Sequence, residues 1–197
     1  MSSPSMSTYL ANKLQDHANG VASYTEPTVY VALINCTAGQ SPRSTAVTTG
    51  LTTVPATPNG HMYRCTTGGT TGSGEPSWGT VSGGTTSDGG TVVWTEMTPD
   101  FQANNANVTG VECSYTGYVR KALSGLMGSS SAGSATNSST ITFAACTGLS
   151  NVLGATYTYD NSTGGNGLRF GMLTATLAVS NGITPSIPSS DLTMTLS

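Results

Sequence analysis

Charge is what this sequence has least of. It carries 6 Lys plus Arg and 9 Asp plus Glu in 197 residues, 8% of the chain, against about 25% in an average soluble domain. With a formal net charge of -3 from scattered carboxylates, it offers no basic field to hold nucleic acid. No stretch approaches the ~18 consecutive apolar residues of a membrane-spanning helix, and the N-terminus lacks the basic-then-apolar pattern of a secretory signal. Disorder driven by self-repelling charge is excluded by the same scarcity. Histidine is limited to His17 and His61, and the four cysteines contain no C-x-x-C pair, so neither a zinc site nor any other metal centre is expected. What fills the chain is serine and threonine, together about 30%, with 25 glycines spread along its length. The length suits one globular domain, or one domain with a small insertion.

Cys36, Cys65, Cys113 and Cys146 are roughly evenly spaced. They read either as small buried hydrophobes or as disulfides within or between subunits, and sequence does not select among the three possible pairings.

The chain divides into three parts. Residues 1–20 hold the one expected helix, a helical arm in which Met6, Leu10, Leu14 and Ala18 form an apolar stripe at i, i+4 spacing. Ser5 or Ser7 can cap its start, and Gly20 suits the left-handed residue at its end. So narrow a stripe needs a partner surface, either the sheet of its own domain or a neighbouring subunit. Residues 21–54 and 98–197 form the main domain. The run TVYVALI at 28–34 is an expected core strand entered through Pro27. Further strands are expected at 108–114, 117–123, 140–145, 155–160, 168–173, 175–180 and 191–196, separated by Gly, Ser, Asn and Pro clusters. Several alternate cleanly: Ile141 and Phe143 against Thr140 and Thr142, Tyr157 and Tyr159 against Thr156 and Thr158, Leu192, Met194 and Leu196 against Thr193 and Thr195. That pattern implies antiparallel sheet with one wet face. The expected fold is all-β, an antiparallel β-sandwich or jelly roll with one short N-terminal helix and a small inserted β module.

The module spans residues 55–97, where the texture changes to Gly/Thr-rich sequence. Strands near 61–66 and 91–97 bracket it, and Ser87-Asp88-Gly89-Gly90 offers a hairpin turn.

Chemistry is nearly absent. There is no G-x-S-x-G, H-E-x-x-H or P-loop, and neither histidine has a nucleophile in a distinctive context, so no catalytic residue is assigned, no enzyme is expected and no cofactor is implied. Asp160-Asn-Ser-Thr-Gly resembles the start of a calcium loop, but Gly171 stands where that loop needs its glutamate, and a turn is the better reading. The module holds the one plausible ligand surface: Tyr63, Glu75, Trp78, Asp88 and Trp94 combine aromatic faces with carboxylates, as a glycan site does. The same residues also suit a miniature core.

The order of residues carries a resemblance. Tyr9-Leu10-x-Asn12-Lys13-Leu14-x-Asp16-His17 leads to Tyr24-Thr25-x-Pro27-x-Val29-Tyr30-Val31-Ala32-Leu33. Later come Glu112, Gly117-Tyr118-Val119-Arg120-Lys121, Asn137-Ser138, Asp160, Thr163-Gly164-Gly165-Asn166, Val179-x-Asn181-Gly182 and Leu192-Thr193-Met194-Thr195-Leu196. This series resembles a family of tailed-bacteriophage virion proteins, tail-fibre or Gp80-like, similar in form to head-decorating proteins. Tyr157-Thr-Tyr159 departs from the family's isoleucine-rich strand. Residues 69–78 and 84–94 resemble a short Gly/Trp motif of phage fibre proteins. The resemblance implies a non-enzymatic structural protein on the virion surface, capsid-decorating or cement in type, with a tail or head fibre module binding host-surface glycan as the alternative. The implied partners are the major capsid protein or other virion proteins and further copies of the chain, a trimer by analogy, with no membrane and no nucleic acid. Under the decorating reading, Met6, Leu10 and Leu14, or the sheet of residues 28–34, would dock on the shell and the module would point outward.

Overall fold

The computed structural model describes residues 5–103, 108, 111–148 and 151–195. Their elements run β1 (Ser5–Met6), α1 (Thr8–Ala18), β2 (Tyr30–Asn35), β3 (Ala46–Val47), β4 (Thr52–Thr53), β5 (Tyr63–Thr67) and β6 (Gly69–Thr70). There follow β7 (Thr85–Asp88), β8 (Val92–Glu96), α2 (Thr98–Gln102), β9 (Lys121–Ala122), β10 (Ser134–Thr136) and β11 (Ile141–Thr142). The last are β12 (Asn151–Tyr159), β13 (Gly167–Val179), β14 (Ser186–Ile187) and β15 (Thr193–Thr195). The chain is mostly β, and its strand pairs are antiparallel.

A five-stranded sheet in the order β1-β13-β12-β2-β9 is the centre of the molecule. A four-stranded sheet, β4-β5-β8-β7, and three two-stranded ribbons, β3-β6, β10-β15 and β11-β14, lie around it. Several expected strands shrink. Only Lys121–Ala122 of 117–123 pairs, and of 108–114 the described part contributes a single bridge, Glu112 to Ile34. Thr109, Gly110 and Leu196 lie outside the described residues. Conversely, 168–173 and 175–180 merge into β13.

The central sheet is covered on both faces. In β2, Ala32 and Ile34 face a cluster with Cys36, Val54, Met62, Met97, Phe101, Tyr157, Tyr159 and Phe170. Val31 and Leu33 face the other way, onto Cys113, Leu123, Ile141, Phe143, Cys146, Leu153 and Ile187. The expected wet face of β12 is therefore corrected: Thr156 and Thr158 are each 3% exposed. Alternation sorts residues between faces, but a second layer decides which faces meet water. Of the expected 28–34 strand, the ladder begins at Tyr30, and Val31–Ile34 are covered on both sides by this molecule's own layers. Met62 and Met97 root the inserted module in this core, and its sheet recruits β4, which precedes residue 55.

All four cysteines are free and buried. Burial pushes the Cys36 thiol up to about 12 and Cys113 to about 11, which keeps both protonated and unreactive.

The helix begins later than the stripe implied. Met6 belongs to β1, opposite Arg169 of β13, because Ser7 takes the N-cap: its Oγ accepts the Leu10 N–H at 3.2 Å. The same hydroxyl donates to the Gly167 carbonyl at 2.6 Å, and the Ser7 N–H reaches Leu168 O at 2.9 Å. Leu10, 5% exposed, is the helix's buried residue, and Leu14 is half-buried. Of the three docking candidates, Leu10 is thus spent on this molecule's own surface. Leu10→Ala is expected to cost about 2–3 kcal/mol. Thermal unfolding should then shift down by roughly 4–12 °C. An unchanged melting temperature would mean the helix is not seated there.

Candidate functional site

The five residues singled out as a ligand surface do come together, but Tyr63, Asp88 and Trp94 form the interior of the small sheet while Trp78 and Glu75 lie over it. Asp88 ends β7 and Trp94 lies in β8, across a turn at Gly89, whose φ of +70° and tight setting require glycine: a Cβ would meet Gly72 N and Thr70 O at 2.8 Å. Trp94 and Tyr63 are fully buried and Asp88 is 2% exposed. The Asp88 carboxylate accepts the Trp94 indole N–H at 3.0 Å, the Gly72 N–H at 2.9 Å and a bidentate pair from Arg43 at 2.8 and 2.7 Å. Glu75 is exposed, yet it accepts from the Trp78 indole at 2.8 Å, from the Ala56 N–H at 2.8 Å and from Ser41 Oγ at 3.0 Å. Tyr63 donates to Gly79 O at 3.0 Å and accepts from Asn59 at 2.9 Å. Half-buried Trp78 covers this core, 4.5 Å from the Tyr63 ring. Each carboxylate and each aromatic donor of the set has a partner inside the protein.

Sequence reading passed over a third carboxylate of this sheet. Glu96, 2% exposed, accepts from Gly83 N–H at 3.0 Å, Thr98 N–H at 3.0 Å and Thr98 Oγ1 at 2.7 Å, and contacts His61 Nδ1 at 2.9 Å. It ties the turn before β7 to the first turn of α2. Burial pushes the carboxyls of Glu96, Asp88 and Glu75 up, but their hydrogen bonds outweigh it and hold all three below the usual carboxylate range. A group whose folded-state pKa is depressed adds stability above its unfolded value, and that stability is lost as pH falls through the folded one. The small sheet should therefore weaken below about pH 4, read as tryptophan fluorescence changing with acid. A Trp signal indifferent to pH between neutrality and about pH 2 would contradict this.

The second constellation was visible only as a string of matching residues. Glu112, Tyr118 and Arg120 converge beside Tyr159 at the end of β12. Arg120, 9% exposed, gives two hydrogen bonds to Glu112, 2.8 Å from Nε and 2.7 Å from Nη2. Its Nη1 donates to the carbonyls of Asn161 at 3.0 Å and Gly164 at 2.7 Å, closing the turn between β12 and β13. The guanidinium lies 3.3 Å from the Tyr159 ring centroid. Tyr118 donates to Glu112 at 3.1 Å while accepting the Leu33 N–H at 3.0 Å, and burial pushes its phenol far up, so it remains a donor. A cleft of about 450 Å³ opens above, lined by Tyr115, Tyr118, Val119, Arg120 and Thr163 among others. The spacing of Glu112, Tyr118 and Arg120 was the signal; Tyr159 and the turn carbonyls carried none.

Residues 98–195 match the family model described as podophage GP4 fiber I protein gp80. Over that stretch the chain is similar to the gp80 family of phage fibre proteins, which supports a phage virion or fibre protein family for it. No curated protein matches the chain. The gp80 match takes in α2 and every strand from β9 to β15, and it includes Glu112, Tyr118 and Arg120. The helical arm, β2 and the small sheet precede it. The protein is thereby a structural component of a phage virion.

Proposed function

We propose that this gp80-like protein is a non-enzymatic decorating or cement protein, exposed on the particle and bound to the major capsid protein or another virion protein. The observation that supports this most is the internal satisfaction of the small sheet. Asp88, Glu75, Trp94 and Tyr63 are used to hold the module together, so its carboxylates and aromatic donors are spent on internal partners instead of a ligand surface. Such a protein acts by mass action: copies that bind the assembled lattice better than free subunits stabilise the lattice. Low charge lets many copies sit side by side without repulsion.

A second reading, a fibre module that adheres to host glycan, is favoured by the fibre description of the matching family. Half-buried Trp78 is then its first candidate contact. Copy number per purified virion, measured by quantitative mass spectrometry against the major capsid protein, separates the two. Hundreds of copies in a simple ratio to the capsid subunit support decoration. A few to a few dozen would overturn it in favour of a fibre, collar or vertex component.

A further inference from the structure

Asparagine followed by glycine is open to self-modification, because without a Cβ on the following residue its backbone nitrogen can reach the asparagine Cγ. The chain holds four such pairs, Asn19-Gly20, Asn59-Gly60, Asn166-Gly167 and Asn181-Gly182. Sequence does not rank them, but the fold does. The Gly182 N–H donates to Cys146 O at 2.8 Å and the Gly20 N–H to His17 O at 3.2 Å, so both of these nitrogens are engaged. Gly167 is buried in the β12–β13 ladder, across from Tyr159. The Gly60 N–H has no acceptor among the described residues, and Asn59 before it is exposed.

The side chain of Asn59 is also arranged for attack. Its Oδ1 accepts the His61 N–H at 3.1 Å, a donor aimed at the atom on which negative charge develops as Cγ becomes tetrahedral. We propose that Asn59 is a site of spontaneous deamidation through a succinimide. Solvent base removes the Gly60 amide proton, the nitrogen bonds to Cγ, and the Cγ–Nδ2 bond breaks as ammonia leaves. Water then opens the ring at either carbonyl, giving aspartate or isoaspartate, and water is the only co-reactant. The product puts a carboxylate where Asn59 Nδ2 donates to Tyr63 Oη, whose own proton already goes to Gly79 O. That carboxylate also neighbours His61, the contact of buried Glu96, so negative charge accumulates where the small sheet meets α2. Isoaspartate in addition inserts its side-chain methylene into the backbone just ahead of Met62 and Tyr63, both fully buried. The conversion is an irreversible timer that loosens the small sheet as the particle ages, whether the protein decorates a shell or forms a fibre.

The test is peptide mapping by mass spectrometry on the purified full chain, aged at mildly alkaline pH and sampled over time. Conversion adds about 1 Da, and isoaspartate is read separately by labelling with an isoaspartyl methyltransferase. In the folded chain Asn59 should convert at least roughly tenfold faster than Asn19, Asn166 or Asn181, and in denaturant the four should react at comparable rates. Asn59→Gln should abolish the mass change at this position, because its longer side chain closes the larger ring far more slowly. Asn59→Asp, which installs one of the products, should lower the melting temperature. Conversion led by Asn19 or Asn181, an Asn59 that stays intact, or a product without isoaspartate would overturn the proposal. An Asn59→Asp variant as stable as wild type would overturn the loosening of the sheet.

Discussion

Arg120→Ala should be among the most destabilising single changes in this protein. It removes the partner of the Glu112 carboxylate, whose side chain is 12% exposed, and breaking such a pair costs about 3–5 kcal/mol because the remaining charge is left uncompensated. It also releases the Asn161 and Gly164 carbonyls and strips the cation from the Tyr159 ring. In a chain of this length that corresponds to a fall in melting temperature of roughly 6–20 °C. Arg120→Lys should recover little: one ammonium cannot reproduce two bonds to a carboxylate and two to a turn in fixed directions. A double-mutant cycle of Arg120→Met with Glu112→Gln isolates the pair, and a coupling above about 1.5 kcal/mol is expected. Hydrogen exchange should show the 160–166 turn opening first. A loss below about 1 kcal/mol would mean the network is solvated and the turn holds itself.

Trp94→Ala should unfold the small sheet, with no ligand involved. A fully buried tryptophan leaves a cavity worth about 3–5 kcal/mol, and Asp88 loses its indole donor in the same change. Trp94→Phe keeps most of the packing and forfeits the hydrogen bond, for about 1–2 kcal/mol. Trp78→Ala, at a half-buried position over Tyr63, should cost about 1–2 kcal/mol and leave the sheet folded. The ordering matters more than the values. If Trp94→Ala left stability intact and abolished host-cell adhesion, Trp94 would be a contact residue and the decorating reading would lose its main support.

The same ordering bears on how the module is joined to the rest. Met62 and Met97 sit in the core beneath the central sheet with Val54 and Phe101. Excising residues 57–97 would therefore open that core and strand β4 without its partner β5, instead of trimming an ornament.

Much of this was set by local sequence. Scarce charge and polar alternation dictated an antiparallel β protein, the TVYVALI run dictated β2, Ser-Asp-Gly-Gly dictated the turn between β7 and β8, and Ser7 with Leu10 dictated the helix and its buried side. These are effects within a few residues, where backbone preference and periodicity act directly. Tertiary structure decided what those faces meet. It put Thr156 and Thr158 in the interior because layers cover both sides of β2 and β12. It placed Arg43 on Asp88 across 45 positions, turning a glycan-like set of residues into a scaffold. It gathered Glu112, Tyr118 and Arg120 around Tyr159, and brought Gly154 so close to Cys36 and Val54 that no side chain fits there. Periodicity records which residues share a face, but the third neighbour that buries or neutralises them arrives through a long loop, and no local spacing encodes it.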